Sequence, residues 1–301
     1  MTSPQSGTRF TALLDNSVLS RLERLRLDPL RRLTVHSRGE HLTGKGGNST
    51  EFSDYRDYVP GDDVKNVDWN IFARLNRPYV KLFRHEEEMH VVLLIDASSS
   101  MLFEGKLELA KQLAAACGLM GLMNNERVSV YACHHAGTQP ELMPPCSGQV
   151  SRRRLFQFLE GVQGGGDSPL EAAVDAVLRR HRGRGVVILL SDFLTFGELN
   201  PALNSLFRSG LEIHGVQILS EQELRPELTG DIRLMDSETG ETLDISGAAE
   251  LYGLYTEHLA RQELELTAAC QKRSGRFIRV SSNTPVETIL FDQWRRKGWV
   301  R

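Results

Sequence analysis

Val91 to Ile95, Val-Val-Leu-Leu-Ile, is an unbroken apolar run of mostly β-branched residues. It has no alternating polar face, so it reads as a strand buried on both sides, as at the centre of a parallel sheet. Such a strand needs helices over both faces, and this requirement restricts the fold of the whole chain. The run ends in Asp96, with hydroxyls following at Ser98 and Ser100. Open α/β sheets bind ligands just beyond the carboxyl ends of their strands. Alternate residues of a short loop can turn Asp96, Ser98 and Ser100 to one side. Their hard oxygen atoms suit Mg²⁺ better than zinc or copper. A polar Asx- or Ser-turn closing the strand accounts for the same three residues.

The rest of the chain repeats the strand–helix alternation. Leu107 to Met123 has helical periodicity with small residues suited to close packing on a sheet. Arg127 to Ala132 reads as a strand, 136–149 as a proline-bearing loop, and Arg152 to Leu159 as a short helix. Ser168-Pro169 opens another helix, with serine as N-cap and proline in the first turn. Val186 to Leu190 is a second buried apolar strand and ends in Ser191-Asp192. Leu199 to Ser209 reads as helix, Leu211 to Leu219 as strand, and 232–245 as a hairpin. A long helix at about 248–273, a strand at Phe277 to Val280 and a helix from Pro285 follow. The expected fold is a doubly wound α/β protein with a mostly parallel sheet and helices on both faces.

Upstream, Asn16 or Ser17 can cap a helix carrying Val18, Leu19, Leu22 and Leu25 on one side, with arginines on the others. Such a helix can touch nucleic acid or lipid, but packing by its leucines with a solvated charged face is the more usual role. Gly39 to Lys45 matches the start of a nucleotide-binding P-loop. Gly46 then stands where the magnesium-binding hydroxyl is needed and no buried strand precedes it, so that reading is rejected. Residues 51–74 are dense in tyrosine, arginine, tryptophan and carboxylates. They suit either a catalytic surface or a structural knot of ion pairs and rings, and the knot is favoured. Tyr79 to Phe83 alternates as an edge strand.

Composition narrows the function classes. With 36 basic and 39 acidic residues the net charge is −3, which gives no general attraction to nucleic acid or anionic membrane. The four cysteines are scattered without a C-x-x-C pair, so neither a zinc knuckle nor a disulfide framework is indicated. No apolar run approaches membrane-spanning length and residues 1–7 lack an apolar leader core, so a cytoplasmic protein is expected.

Three loops thus converge on one edge of the expected sheet: Asp96-x-Ser98-x-Ser100, Gly164-Gly-Gly-Asp167-Ser168, and Asp192 after the second apolar strand. Together they resemble the metal-ion-dependent adhesion site of the von Willebrand factor A domain. The resemblance implies direct ligation of Mg²⁺ or Mn²⁺, weakly bound, by Ser98, Ser100 and Ser168, with Asp96 and Asp192 acting mostly through waters. Ser168 stands where that family usually has threonine. The upstream pattern Glu51-Phe-x-Asp-Tyr-Arg-x-Tyr-x-Pro-Gly-Asp-Asp, followed by Asp68-Trp69 and Ala73-Arg74, is similar to the signature of the domain of unknown function 58 family. That resemblance spans about residues 35–290 and implies association with a MoxR-type AAA+ ATPase.

The expected organisation is an N-terminal helical segment (1–38), a signature-bearing extension packed on the main domain (39–88), and a von Willebrand factor A-like domain (89–301). The expected function is a non-enzymatic, metal-dependent protein-binding module, an adaptor or co-chaperone whose ion takes a partner's carboxylate. His134 and His135 follow a strand without an identifiable acid partner, and no activated nucleophile is evident. The alternative is a Mg²⁺-dependent phosphohydrolase with Asp96 as nucleophile. It lacks a second acid at position 98 and an evident downstream lysine.

Overall fold

The computed structural model describes residues 9–30, 34–35, 50–86, 89–134, 139–166, 170–181, 183–194, 199–226, 232–235, 242–245 and 249–301. Two compact units emerge. One joins residues 1–31 to 89–301, and the other comprises residues 32–88.

The smaller unit is a three-stranded antiparallel sheet of β1 (Thr34–Val35), β2 (Thr50–Asp57) and β3 (Tyr79–Glu86), with helix α2 (Trp69–Leu75) between the last two. β3 lies in the middle of this sheet, so the edge position expected for Tyr79–Phe83 is corrected. Alternation suits any strand of a small sheet with one covered and one open face, so it does not single out an edge strand. Asp68 organises the unit. Its Oδ1 accepts from the backbone N–H of Asn70 (2.9 Å) and Ile71 (3.2 Å), capping α2, while Oδ2 takes the Tyr55 hydroxyl and the Lys81 ammonium, each at 3.1 Å. Arg56 pairs with Asp62 at 2.8 Å. Trp69 meets Phe72 edge-to-face but is 57% exposed, so the expected knot is looser around its tryptophan than around Asp68. The glycine-rich segment 39–49 lies outside the described residues.

The larger unit contains a six-stranded sheet of β4 (His90–Asp96), β5 (Arg127–Cys133), β6 (Glu141–Cys146), β7 (Gly185–Ser191), β8 (Leu211–Leu219) and β11 (Arg276–Ser281). The order is β11-β8-β7-β4-β5-β6, all parallel except β6. β9 (Ile232–Met235) and β10 (Thr242–Ile245) form the expected hairpin. β6 replaces the loop expected over 136–149. Pro144 and Pro145 are tolerated there because β6 is an edge strand and they sit where its register with β5 shifts, between Met143 and Cys146.

Helices cover both faces, so the doubly wound α/β expectation holds. On one side α3 (Lys106–Met123) packs beside α4 (Arg152–Gly161). Gly118 lets α3 approach α4, and Gly121 lets it approach the sheet. A Cβ at Gly118 would lie 2.6 Å from Leu155, and one at Gly121 would lie 2.8 Å from Val128. On the other side Val174 and Val177 of α5 (Leu170–Arg180), Leu203 and Leu206 of α6 (Leu199–Arg208), and Leu266 and Cys270 of α8 (Ala249–Gln271) share a core with Val92, Leu94, Val187 and Leu189.

The N-terminal helix α1 (Asn16–Leu22) is shorter than expected, and Asp15 rather than Asn16 or Ser17 is its N-cap residue. Val18 and Leu22 are buried, and the Arg21 guanidinium lies 3.5 Å from the centre of the Phe291 ring. Beyond the helix the chain pairs with its far end. Arg26 and Arg301 exchange backbone hydrogen bonds of 2.9 and 3.0 Å, making an antiparallel bridge between Leu27 and Val300.

Candidate functional site

The chain leaves β4 for α3 and β5 on one side of the sheet, then returns to place β7 on the other side of β4. β4 and β7 therefore flank a topological switch point, where α/β sheets open a crevice at their carboxyl ends. Asp96 ends β4 and Asp192 follows β7 directly, so register places both at this crevice.

Four of the five expected site residues lie in described loops at this edge. Asp96 and Ser98 are buried, Ser100 is half-buried, and the Ser98 and Ser100 hydroxyl oxygens are 3.0 Å apart. Asp96 Oδ1 accepts from Ser98 N–H at 3.0 Å, so the Asx-turn is present. Asp96 Oδ2 accepts from the Ser191 hydroxyl at 2.7 Å. Ser191 Oγ in turn accepts from Phe193 N–H at 2.9 Å, binding the β4 and β7 loops together. Burial pushes the Asp96 carboxyl above the usual range, and the nearby charge of Asp192 pushes it further. The glycine loop docks on the same place. Gly165 N–H donates to Ala97 O at 2.8 Å, and Ser99 N–H to Gly166 O at 2.9 Å. Asp167 and Ser168 lie outside the described residues.

Asp192 is fully buried, and its partners were not expected. Its Oδ2 lies 2.9 Å from the ammonium of Lys106, whose side chain is itself completely buried. The same ammonium reaches Glu223 Oε1 at 2.6 Å. Glu223 is in α7 (Glu221–Leu224), where it forms a capping box with Ser220, and its backbone oxygen accepts the Tyr255 hydroxyl at 2.5 Å. Gln217 donates to Asp192 O at 2.8 Å. Phe193, buried at φ +54°, and Glu104, at φ +43°, take left-handed backbone on the two loops flanking this cluster. That conformation is strained for such residues and tends to collect at functional sites.

Lys106, Ser191 and Glu223 escaped the sequence reading. The Ser-x-x-Glu spacing at 220–223 is a legible capping box. Lys106 gave a fainter signal: a cation at the first position of a helix whose residues from Leu113 to Met123 are apolar or small. This lysine lies downstream of Asp96, but its ammonium is bound to Asp192 and Glu223. His134, expected to lack an acid partner, has Glu141 Oε1 at 3.3 Å from its Nε2. His135 lies outside the described residues.

Among the described residues no group of three or more His, Cys, Asp or Glu side chains is arranged to hold a metal ion. An ion here would depend on serine oxygens. Their spacing fits, since neighbouring corners of an octahedron with bonds of about 2.0–2.1 Å are about 3 Å apart.

The fold and this cluster define a doubly wound α/β protein with a hydroxyl–carboxylate cluster at its switch point. The chain belongs to the family described as Protein of unknown function DUF58, whose model matches residues 54–265. It is 28% identical to the uncharacterized protein Mb1516 of Mycobacterium bovis, over 77% of this chain and 74% of that protein. The uncharacterized protein Rv1480 of Mycobacterium tuberculosis matches to the same extent. Among solved structures, BatB from Bacteroides thetaiotaomicron superposes with a TM-score of 0.41 at 17% identity, over 70% of this chain and 98% of that one. An aerotolerance-related membrane protein from Bacteroides fragilis gives 0.43 at 21% identity, over 69% and 99%. No helix among the described residues is long and apolar enough to cross a membrane.

Proposed function

We propose that this chain is a non-enzymatic, metal-dependent protein-binding module with a von Willebrand factor A-like domain, working as a cytoplasmic adaptor or co-chaperone with a MoxR-type AAA+ ATPase. The observation that carries the reading is the pair of serine hydroxyls 3.0 Å apart beside the buried Asp96, at the switch-point crevice. Ser98 and Ser100 would hold Mg²⁺ or Mn²⁺ directly. Asp96 would supply charge from below, and Asp192 and the Ser168 hydroxyl would complete the set. When bound, the ion supplies an electrophilic position for a partner's Asp or Glu carboxylate.

Neutral hydroxyl ligands leave the charge of such an ion largely unspent, which suits a carboxylate from outside. Ser98 and Ser100 orient each other through their mutual hydrogen bond, and Ser191 fixes Asp96. Against a phosphohydrolase stands Lys106. Its ammonium is buried and already bound to two carboxylates, so it is not presented to a phosphate. The partner's identity rests on the resemblance to the family alone.

Calorimetry with the purified MoxR-type ATPase tests the reading. Binding in Mg²⁺ should be lost in EDTA and in Asp96→Ala or Ser98→Ala. Added salt should weaken it less than chelation does, because the contact is short-range. A complex of unchanged affinity in EDTA and in Asp96→Ala overturns it.

A further inference from the structure

We propose that Lys106 is an internal counter-cation that holds the Asp192 carboxylate, and so sets how tightly a divalent cation binds at Asp96, Ser98 and Ser100. The inference rests on the metal-binding reading above and adds what limits that site.

An ammonium with no exposed surface is costly to bury, and it persists only with close partners. Its neighbours in the first turns of α3, Leu107, Leu109 and Ala110, are apolar and buried, so packing alone would accept a methionine at this position. What the charge adds is its two contacts, 2.9 Å to Asp192 and 2.6 Å to Glu223. Glu223 is anchored independently. Its Oε2 accepts from Ser220 N–H at 2.7 Å, and its N–H donates to Ser220 Oγ at 3.1 Å. The lysine is thus tied to a fixed post in α7 and pulls on Asp192 from there. The other oxygen of Asp192 accepts Leu194 N–H at 3.1 Å.

A cation entering the crevice therefore meets one uncommitted carboxylate, Asp96, and not two. The charge of Asp192 is already matched by the Lys106 ammonium at 2.9 Å. Such a site binds metal weakly and leaves it short of negative charge. A carboxylate from a partner supplies that missing charge. Lys106 acts through Asp192 and is a positioning residue.

The test uses the full chain and Mn²⁺ alone, with calorimetry and the electron paramagnetic resonance of free Mn²⁺ as readouts. Lys106→Met should tighten binding about tenfold or more, because one buried positive charge is removed near a dication. Glu223→Gln should weaken it several-fold by leaving the ammonium less neutralised. Asp192→Asn should weaken wild-type binding several-fold, as Glu223→Gln does, but less than Asp96→Asn, and should cancel the gain of Lys106→Met, a coupling that general loosening of the fold would not produce. If Lys106→Met does not fold, Glu223→Gln and Asp192→Asn decide alone. Unchanged affinity in Lys106→Met, or a loss in Asp192→Asn as large as in Asp96→Asn, overturns the role of Lys106 while the metal site stands. Binding to Lys106→Met but not to wild type supports it. Mn²⁺ that binds none of the folded variants, or binds regardless of Asp96→Asn, overturns both readings.

Discussion

The Nδ1 atoms of His90 and His181 lie 2.9 Å apart, in stacked and buried rings at the amino edge of the sheet, opposite the crevice. Gly183 O takes a hydrogen bond from His181 Nε2 at 2.8 Å, and His90 Nε2 lies 2.9 Å from the Ser129 hydroxyl. One assignment satisfies all three contacts: His181 protonated at Nε2, His90 at Nδ1, and Ser129 donating to His90 Nε2. A further proton on His181 Nδ1 would set two donors face to face, whereas one on His90 Nε2 would require Ser129 to turn from donor to acceptor. Burial, then the neighbouring charges of His181 and Arg127, hold His90 down to about 3.

The folded pKa of His90 is thus below the unfolded value near 6.5, and the unfolded chain binds the extra proton first. Stability should be flat above pH 6.5 and fall by about 1.4 kcal/mol per pH unit on acidification, until the folded pKa is reached. Urea denaturation between pH 7.5 and 4.5 measures the slope. His90→Asn, which keeps a donor toward His181, should be shallower by one proton. An equal slope in both proteins places the titration elsewhere.

Asp96 gives the opposite sign. Its carboxyl is raised, so the ionised form burdens the folded protein at neutral pH and the burden disappears as pH falls through the folded pKa. Without metal, Asp96→Asn should melt higher than wild type at pH 7.5, with the gap closing toward acid. Millimolar Mg²⁺ should raise the melting temperature of wild type by mass action and leave Asp96→Asn unmoved. Removing a functional carboxylate thus trades function for stability. Equal Mg²⁺ shifts in both proteins would place the ion away from Asp96.

In the smaller unit the heavier loss should come from Asp68. Asp68→Ala removes the cap of α2 together with the contacts of Tyr55 and Lys81, and Lys81 is the main cause holding its carboxyl below the usual range. Arg56 is 41% exposed beside Asp62, and such pairs contribute little. Thermal melts should therefore rank Asp68→Ala well below Arg56→Ala. The reverse order would restore the arginine to the centre of the segment.

The core strands were legible because burial on both faces leaves an unmistakable apolar run. β4 and β7 differ from their expected limits by only a residue at each end. β6 was not legible, because prolines at 144 and 145 read as loop until an edge position excuses their missing donors. The carboxylates and hydroxyls of the crevice stood out at strand ends, where polar residues interrupt apolar ones. Lys106 did not, because its partners at 192 and 223 are brought to it only by the wound sheet. A cation's role depends on distant charges that local sequence does not display.

The glycine at the start of β7 is held by the backbone of the neighbouring strand. A Cβ on Gly185 would lie 1.9 Å from His90 O, with other backbone atoms of His90 within 2.9 Å. Backbone cannot yield as a side-chain tip does, so Gly185→Ala should cost about 4 kcal/mol or more or abolish folding. Chemical denaturation measures it, and a loss under about 1 kcal/mol would mean that the strands separate without penalty.

The bridge between Leu27 and Val300 carries a consequence in time. Leu27 is synthesised well before its partner Val300. At about 5–20 residues per second, roughly 14–55 s separate them. Through that interval the arm after α1 lacks this bridge, whatever the sheet has already formed. Residues synthesised far later are thus the ones that fasten the tail of α1.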